Sequence, residues 1–176
     1  PSCGAILADW GADVVKIEKP QGDPLRAVMG AGLVADTGDF NFLFFGDPQI
    51  GAGDGARIDA DGWDRTVTTA TEMFPDTAFL VSSGDQVNTA YNLKQYDGWF
   101  FPEELTTYPI MPIVGNHDAA SFADYFNVPN ETGLGGDSEG SDFYFSYGNT
   151  LFLALNSQSS DVEEHRKAME RAIAAN

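Results

Sequence analysis

Three short apolar runs, each closed by a glycine and a polar side chain, place the strongest constraint on the fold of this 176-residue chain. The runs are 41–45 before Gly46-Asp47, 78–81 before Gly84-Asp85, and 110–114 before Gly115-Asn116-His117-Asp118. Continuous apolar runs of this length, ended by glycine, are typical of strands that are covered on both faces. The sequence therefore predicts an α/β fold with layers on both sides of a sheet.

The polar residues at the ends of these runs form a candidate site. Sites in α/β folds lie at the carboxyl ends of the strands, so we expect Asp47, Asp85 and Asn116 to converge at one edge. Their carboxylate and amide oxygens suit divalent cations, and His117 adds a group that titrates near neutral pH. Each block alone also fits an ordinary turn with local side-chain bonds to backbone. Three blocks together favour a metal site.

The order Gly-Asp, Gly-Asp-x-x-Asn and Gly-Asn-His-Asp resembles the calcineurin-like metallophosphoesterases, nearest to their purple acid phosphatase-like branch, over residues 39–176. The resemblance implies a layered α/β sandwich of the metallophosphoesterase type and metal-dependent hydrolysis of a phosphate ester. That family draws further histidine ligands from downstream, whereas this chain contains only His117 and His165. We therefore expect a domain that is truncated at its C-terminus and weakly active or inactive.

The same resemblance implies a role for each site residue. Two divalent or trivalent metal ions (Fe, Mn or Zn) would bind, with Asp47 on the first ion, Asp85 bridging both and Asn116 on the second. His117 would face the substrate phosphate as a catalytic residue, and Asp118 would orient His117.

Two positions depart from the pattern of that family. Gln49 stands where many members have a histidine ligand, and Asn88 stands where purple acid phosphatases have a tyrosine. We therefore expect incomplete ligation of the metal ions and no tyrosinate–iron chemistry.

The N-terminal stretch carries different sequence signals. Residues 3–18 and the run Gly22-Asp23-Pro24-Leu25-Arg26 look like the start of family III CoA-transferases. In that family the arginine of this run is a candidate contact for a CoA phosphate; for Arg26 the alternative is a solvated loop arginine. A strand and a helix cut from a larger sheet cannot bury their apolar faces alone. We therefore expect a fused or misjoined fragment that binds no CoA.

Charge divides the chain in the same place. Residues 1–30 hold three basic and four acidic side chains (3 − 4 = −1), and the remainder holds six and 23 (6 − 23 = −17). The shift predicts a CoA-transferase-like fragment at 1–30, a linker at 31–38 and the truncated metallophosphoesterase domain at 39–176.

Composition restricts the partners. A net charge of −18 disfavours nucleic acids and anionic membranes, and there is no apolar run long enough to span a bilayer. Cys3 is the single cysteine, so no disulfide can form within the chain. The N-terminus lacks the pattern of a signal peptide, and the cellular compartment and oligomeric state stay open. The expected ligand is a phosphate ester substrate.

Three functions are compatible with these observations. The first is a metal-dependent phosphoric ester hydrolase. The alternatives are a CoA-binding fragment of a family III CoA-transferase, indicated by the N-terminal stretch, and a non-catalytic acidic protein that binds cations.

Patterns outside the site predict the remaining elements. Asp61 is expected to cap a helix that begins near Trp63, and Ser160 to open a capping box for a helix that runs to Ala175. His165 is expected to be exposed on that last helix. Predicted strands are 41–46, 78–83, 110–114, 143–147 and 150–155.

Overall fold

The structure is a computed structural model that describes residues 40–136 and 142–176. These residues belong to a compact unit that runs from Phe40 to Asn176. Its strands are β1 (Asn41–Phe45), β2 (Thr77–Ser82), β3 (Ile110–Pro112), β4 (Phe143–Tyr147) and β5 (Thr150–Ala154). Its α-helices are α1 (Ala56–Met73), α2 (Leu93–Trp99), α3 (Phe122–Tyr125) and α4 (Val162–Ala174), with 3-10 turns at Glu103–Thr106 and Ala119–Ser121.

The predicted α/β class is confirmed. The first three strands form a parallel sheet in the order β1-β2-β3, and β4 pairs with β5 as an antiparallel hairpin. A parallel pair needs a crossover connection, which α1 supplies between β1 and β2. Between β4 and β5 only Gly148 and Asn149 remain, the two-residue turn that the sequence predicts.

Side chains alternate between the two faces of the parallel sheet. On one face, Leu43, Phe45, Leu80 and Ile110 join a core with Trp63 and Val67 of α1 and Tyr96 and Trp99 of α2. On the other face, Phe42, Phe79, Val81 and Met111 pack against the hairpin through residues that include Phe143, Phe145, Phe152 and Ala154. This alternation explains the continuous apolar runs, because apolar side chains pack on both faces of the sheet; the exception is Phe44 near the end of edge strand β1, which is 51% exposed.

Aromatic rings fill the space between the sheet and the hairpin. The ring of Phe79 stacks on Phe42 at a centroid distance of 5.1 Å. The same ring meets Phe145 and Phe152 edge-on, at centroid distances of 5.5 and 5.2 Å. Such offset and edge-to-face pairs are the favoured arrangements of aromatic rings. The sheet thus lies between a helical layer and a hairpin; a sandwich of the metallophosphoesterase type stays a prediction.

Helix α1 begins earlier than predicted. It starts at Ala56 after Gly55, so Asp61 lies inside the helix, where it pairs with Arg57 at 3.6 Å, and the expected cap is wrong. The buried face of the helix extends toward its N-terminus, from Trp63 to Ala60. An alanine is only weakly apolar, so the hydrophobic pattern of the sequence does not reveal this part of the helix.

Helix α4 also differs from its prediction. Its N-cap is Asp161, whose Oδ1 accepts the backbone N–H groups of Glu163 and Glu164 at 3.0 Å each, and not Ser160. Asp161 lies one residue nearer the helix, so its carboxylate reaches both donors. The sequence predicts an apolar face of Val162, Met169, Ala172 and Ile173 for this helix. Ala172 is buried, together with Ala168, whereas Val162 and Ile173 are exposed.

No helix in the part of the chain that the structure describes combines the length and the apolar character needed to cross a membrane.

We predict that Leu80→Ala lowers the free energy of unfolding by about 2–5 kcal/mol, because Leu80 is fully buried between the sheet and α1. Leu93→Ala is the matched control, since Leu93 is 65% exposed and its loss is expected to stay within about 0.5 kcal/mol. Urea unfolding followed by tryptophan fluorescence measures both. Equal losses in the two variants would show that β2 is not the core strand.

Candidate cation site at the strand ends

Three loops leave the parallel sheet at its carboxyl edge, one after each strand. Asp47 lies in the loop after β1, Asp85 in the loop after β2, and Asn116 in the loop after β3. Neighbouring parallel strands end at the same edge, so the topology places the three predicted ligands on adjacent loops. Asp47 and Asn116 are exposed, and Asp85 is half-buried.

The first and second loops are joined by a short continuation of strand-like pairing. The backbone N–H of Gln49 donates to the carbonyl of Asp85 at 2.8 Å, and that of Ile50 donates to Gln86 at 3.2 Å. The side-chain amide of Gln49 also donates to Asn88 Oδ1 at 3.3 Å. Gln49, which stands where the resemblance expects a histidine, therefore links two loops of the site.

The second and third loops are joined through carboxylates. Asp85 Oδ1 accepts the backbone N–H of His117 at 2.9 Å. Asp118 accepts two backbone N–H groups, from Gly115 at 2.7 Å on Oδ1 and from Gln86 at 2.8 Å on Oδ2. The fully buried side chain of Asp118 is thus a bridge between the two loops.

Several residues of these loops have a strained backbone. The φ angles of Asp47, Gln49 and Asp85 are +32°, +38° and +48°, in the left-handed region that residues with a Cβ seldom adopt. Strain of this kind persists where the surroundings fix it and gathers at functional sites. Three of the five non-glycine residues with positive φ in the described part of the chain lie in these loops, and Tyr91 and Asn130 lie elsewhere.

The ring of His117 is oriented by a backbone carbonyl. Its Nδ1 lies 2.7 Å from the carbonyl oxygen of Asn88, and because a carbonyl oxygen only accepts, Nδ1 is the donor in this hydrogen bond. The resemblance gives the orienting role to Asp118, but both oxygens of that carboxylate contact backbone nitrogens instead. The difference arises because the short Asp118 side chain turns inward to the loop ends.

Burial raises the pKa of the Asp118 carboxyl above its usual value, and the N–H groups of Gln86 and Gly115 oppose that rise. The charge of nearby Asp85 adds to the rise. With its folded pKa raised, the ionised carboxylate is less favourable in the folded protein than in water. The two backbone donors therefore offset the cost of keeping a charge in this position.

The donor set does not fit two metal ions. Asp47, Asp85 and Asn116 supply three oxygen-bearing side chains, whereas zinc-type ions take three or four protein ligands each, often with imidazole. Across residues 40–136 and 142–176, no three His, Cys, Asp or Glu side chains form a metal-binding group. The predicted residues suit at most one oxygen-preferring cation that keeps most of its water.

Sequence reasoning missed a hydrogen-bonded network behind the third loop. Ser121 lies 2.7 Å from the hydroxyl of Tyr96 on α2 and accepts the backbone N–H of Tyr91 at 3.2 Å. The hydroxyl of Tyr91 donates to the carbonyl of Ala120. Burial raises the pKa of Tyr96 to about 12, so its hydroxyl keeps its proton at neutral pH. An aromatic run and a serine 25 residues further along give no local signal of this contact.

The comparison with known families concerns the other end of the chain. Residues 1–45 match CoA-transferase family III, which confirms the N-terminal resemblance and extends it beyond residue 26. The match covers 45 of the 176 residues, so the chain is similar to this family over about a quarter of its length. No curated protein matches the chain.

This match overturns the predicted activity. The prediction of a phosphoesterase, and with it of a hydrolase and a phosphatase acting on a phosphate ester, is wrong, because the family that the sequence matches is a CoA-transferase family. The physical reason lies in the motifs. Glycine followed by an acidic or amide residue suits the end of any buried parallel strand, so the repeated blocks report the topology of the sheet and not a reaction.

We predict that Asp118→Ala lowers the free energy of unfolding by about 2–6 kcal/mol, because it leaves two backbone N–H groups without an acceptor at about 1–3 kcal/mol each. Asp118→Asn keeps one acceptor oxygen and should fall between this variant and the parent protein. Chemical unfolding measures the series, with exposed Asp124→Ala as the control. A loss no larger than that of the control would contradict the bridging role.

Proposed function

We propose, in place of the expectation of a fragment that binds no CoA, that the N-terminal segment carries the CoA-recognition element of a family III CoA-transferase. The match of residues 1–45 to that family is the observation that supports this function. The proposal concerns recognition of CoA or an acyl-CoA and leaves the transfer reaction itself aside.

Arg26 is the residue that would bind CoA. The anionic part of CoA is its phosphates, and a guanidinium pairs with phosphate oxygens through two parallel hydrogen bonds. Residues 1–30 are nearly neutral (3 − 4 = −1), in contrast to the strongly acidic remainder, so an anionic ligand meets the least repulsion here. In the alternative, Arg26 is a solvated loop arginine and contributes nothing to CoA binding.

We predict that the full chain binds CoA and that Arg26→Ala weakens this binding at least tenfold, about 1.4 kcal/mol. Isothermal titration with CoA measures the affinity. Arg57→Ala is the matched control, because Arg57 is exposed on α1 and pairs with Asp61 in its own helix. Absence of binding at millimolar CoA, or the same loss in both variants, would contradict the proposal.

A second candidate function is weak, non-catalytic binding of a divalent cation at the carboxyl edge of the sheet, by Asp47, Asp85 and Asn116. What supports it is the strained backbone of both aspartates on adjacent loops. One Oδ atom of Asp85 already accepts a hydrogen bond from His117, and the other oxygen is the one that would face a cation. Asp47 is exposed and can approach from the first loop. His117, through Nε2, could add a nitrogen ligand.

We predict that Mn²⁺ binds with a dissociation constant on the order of 10⁻⁴–10⁻³ M, the range of weakly held oxygen sites. Asp85→Asn keeps the acceptor for the His117 N–H but removes the charge, and should weaken binding at least tenfold. Exposed Asp97→Asn on α2 is the control. Titration followed by water-proton relaxation gives the affinity. Two tight sites per chain, or equal affinities in the two variants, would overturn this candidate.

A further inference from the structure

The two ring nitrogens of His165, on the first turn of α4, both face hydrogen-bond acceptors. Nδ1 lies 2.6 Å from Asp142 Oδ2, and Nε2 lies 3.2 Å from the carbonyl oxygen of Ser159. A carboxylate and a carbonyl cannot donate, so both contacts are hydrogen bonds only when the ring carries two protons. The His165 side chain is 14% exposed, which contradicts the expectation of an exposed helical histidine.

Asp142 is a fixed partner for this ring. Its side chain is 1% exposed, and its Oδ1 accepts the backbone N–H of Asn156 at 2.8 Å. Its main-chain groups bond to Thr132 and Leu134, at 2.9 and 2.8 Å. The carboxylate is thus anchored just before β4 and next to the segment after β5. His165 joins α4 to that anchor.

We propose that doubly protonated His165 is a pH-sensitive clamp that holds the first turn of α4 and the preceding segment 156–161 in place, and that loss of one ring proton releases them. The hydrogen bond to Asp142 raises the pKa of His165 above its ordinary value, and burial opposes that rise. Asp161, the N-cap of α4, is the second acidic group that acts on the ring.

The sign of the effect is set by the raised pKa. A histidine whose pKa is higher in the folded than in the unfolded chain adds stability that is fully present below about pH 6.5, its unperturbed pKa. That stability is lost as the pH rises through the folded-state pKa. Nearby Glu164 does not replace the clamp, because its Oε2 accepts the backbone N–H of Gly135 at 3.0 Å.

The segment that the clamp holds lines a cavity of about 620 Å³. One wall is formed by Ala119 and Ala120, which directly follow His117 and Asp118, and another by Ser159, Asp161 and Glu164. Release of the first turn of α4 would remove the second wall. The cavity next to the candidate site is therefore more open at alkaline than at mildly acidic pH.

The protonation state is tested by nitrogen-15 NMR of the ring nitrogens. The chain contains two histidines, so a His117→Gln variant assigns both sets of signals. We expect both nitrogens of His165 to be protonated at about pH 6 and the titration midpoint to lie above about 6.5, the unperturbed value. A singly protonated ring at that pH, or a midpoint at or below the unperturbed value, would overturn the proposal.

The conformational release is tested by hydrogen exchange of peptides from 156–170 at about pH 6 and about pH 9, normalised to peptides from α1. Each unit by which the pKa of His165 is raised is expected to increase relative opening about tenfold between the two pH values. His165→Gln can still donate one hydrogen bond to Asp142 but does not titrate, so its normalised exchange should be the same at both pH values. Equal protection in the parent protein at both pH values, or the same pH dependence in His165→Gln, would refute the clamp.

Discussion

Burial of β2 on both faces is the constraint on which the described fold depends. Leu80 points into the helical core, while Phe79 and Val81 point into the aromatic core beneath the hairpin. The helical layer and the hairpin both bury their apolar side chains against this strand. The position of β2 therefore determines the order of the three layers and the spacing between them. The loops of the candidate site are built on this base. Their polar groups hold position because β2, the strand that precedes the loop of Asp85, cannot shift without exposing apolar side chains of both cores.

The limits of the strands could be predicted from the sequence, because each strand has a clear hydrophobic pattern. Five predicted strands appear within one or two residues of their expected limits, because apolar runs and turn residues give local signals. The start of α1 and the cap of α4 were not predicted correctly, since alanines mark a buried stripe weakly and Asp161 competes with Ser160 for the same backbone donors. The position of His165 depends on Asp142, 23 residues away, and no local pattern encodes that contact.

In the candidate site, too, the sequence predicts which residues come together but not the contacts that they make. The residues at the strand ends could be chosen from the sequence, because topology alone brings the loops to one edge. Their hydrogen bonds could not, and these place Asp118 against the backbone and give the orientation of His117 to Asn88. The activity could not be inferred either. The motifs describe a way to end a strand, and the family match lies instead in residues 1–45.

Gly115 carries no functional group, yet its close contact with Asp85 limits which residues this position can accept. A Cβ atom at this position would lie 2.1 Å from Asp85 Oδ1 and 2.2 Å from the backbone nitrogen of Asp85. Any side chain would therefore have to displace both the carboxylate and the turn that presents it. In a library of random substitutions, position 115 should be among the least permissive, for a reason that concerns only the space its neighbour occupies. The position of the Asp85 side chain would then require a glycine about 30 residues further along the chain.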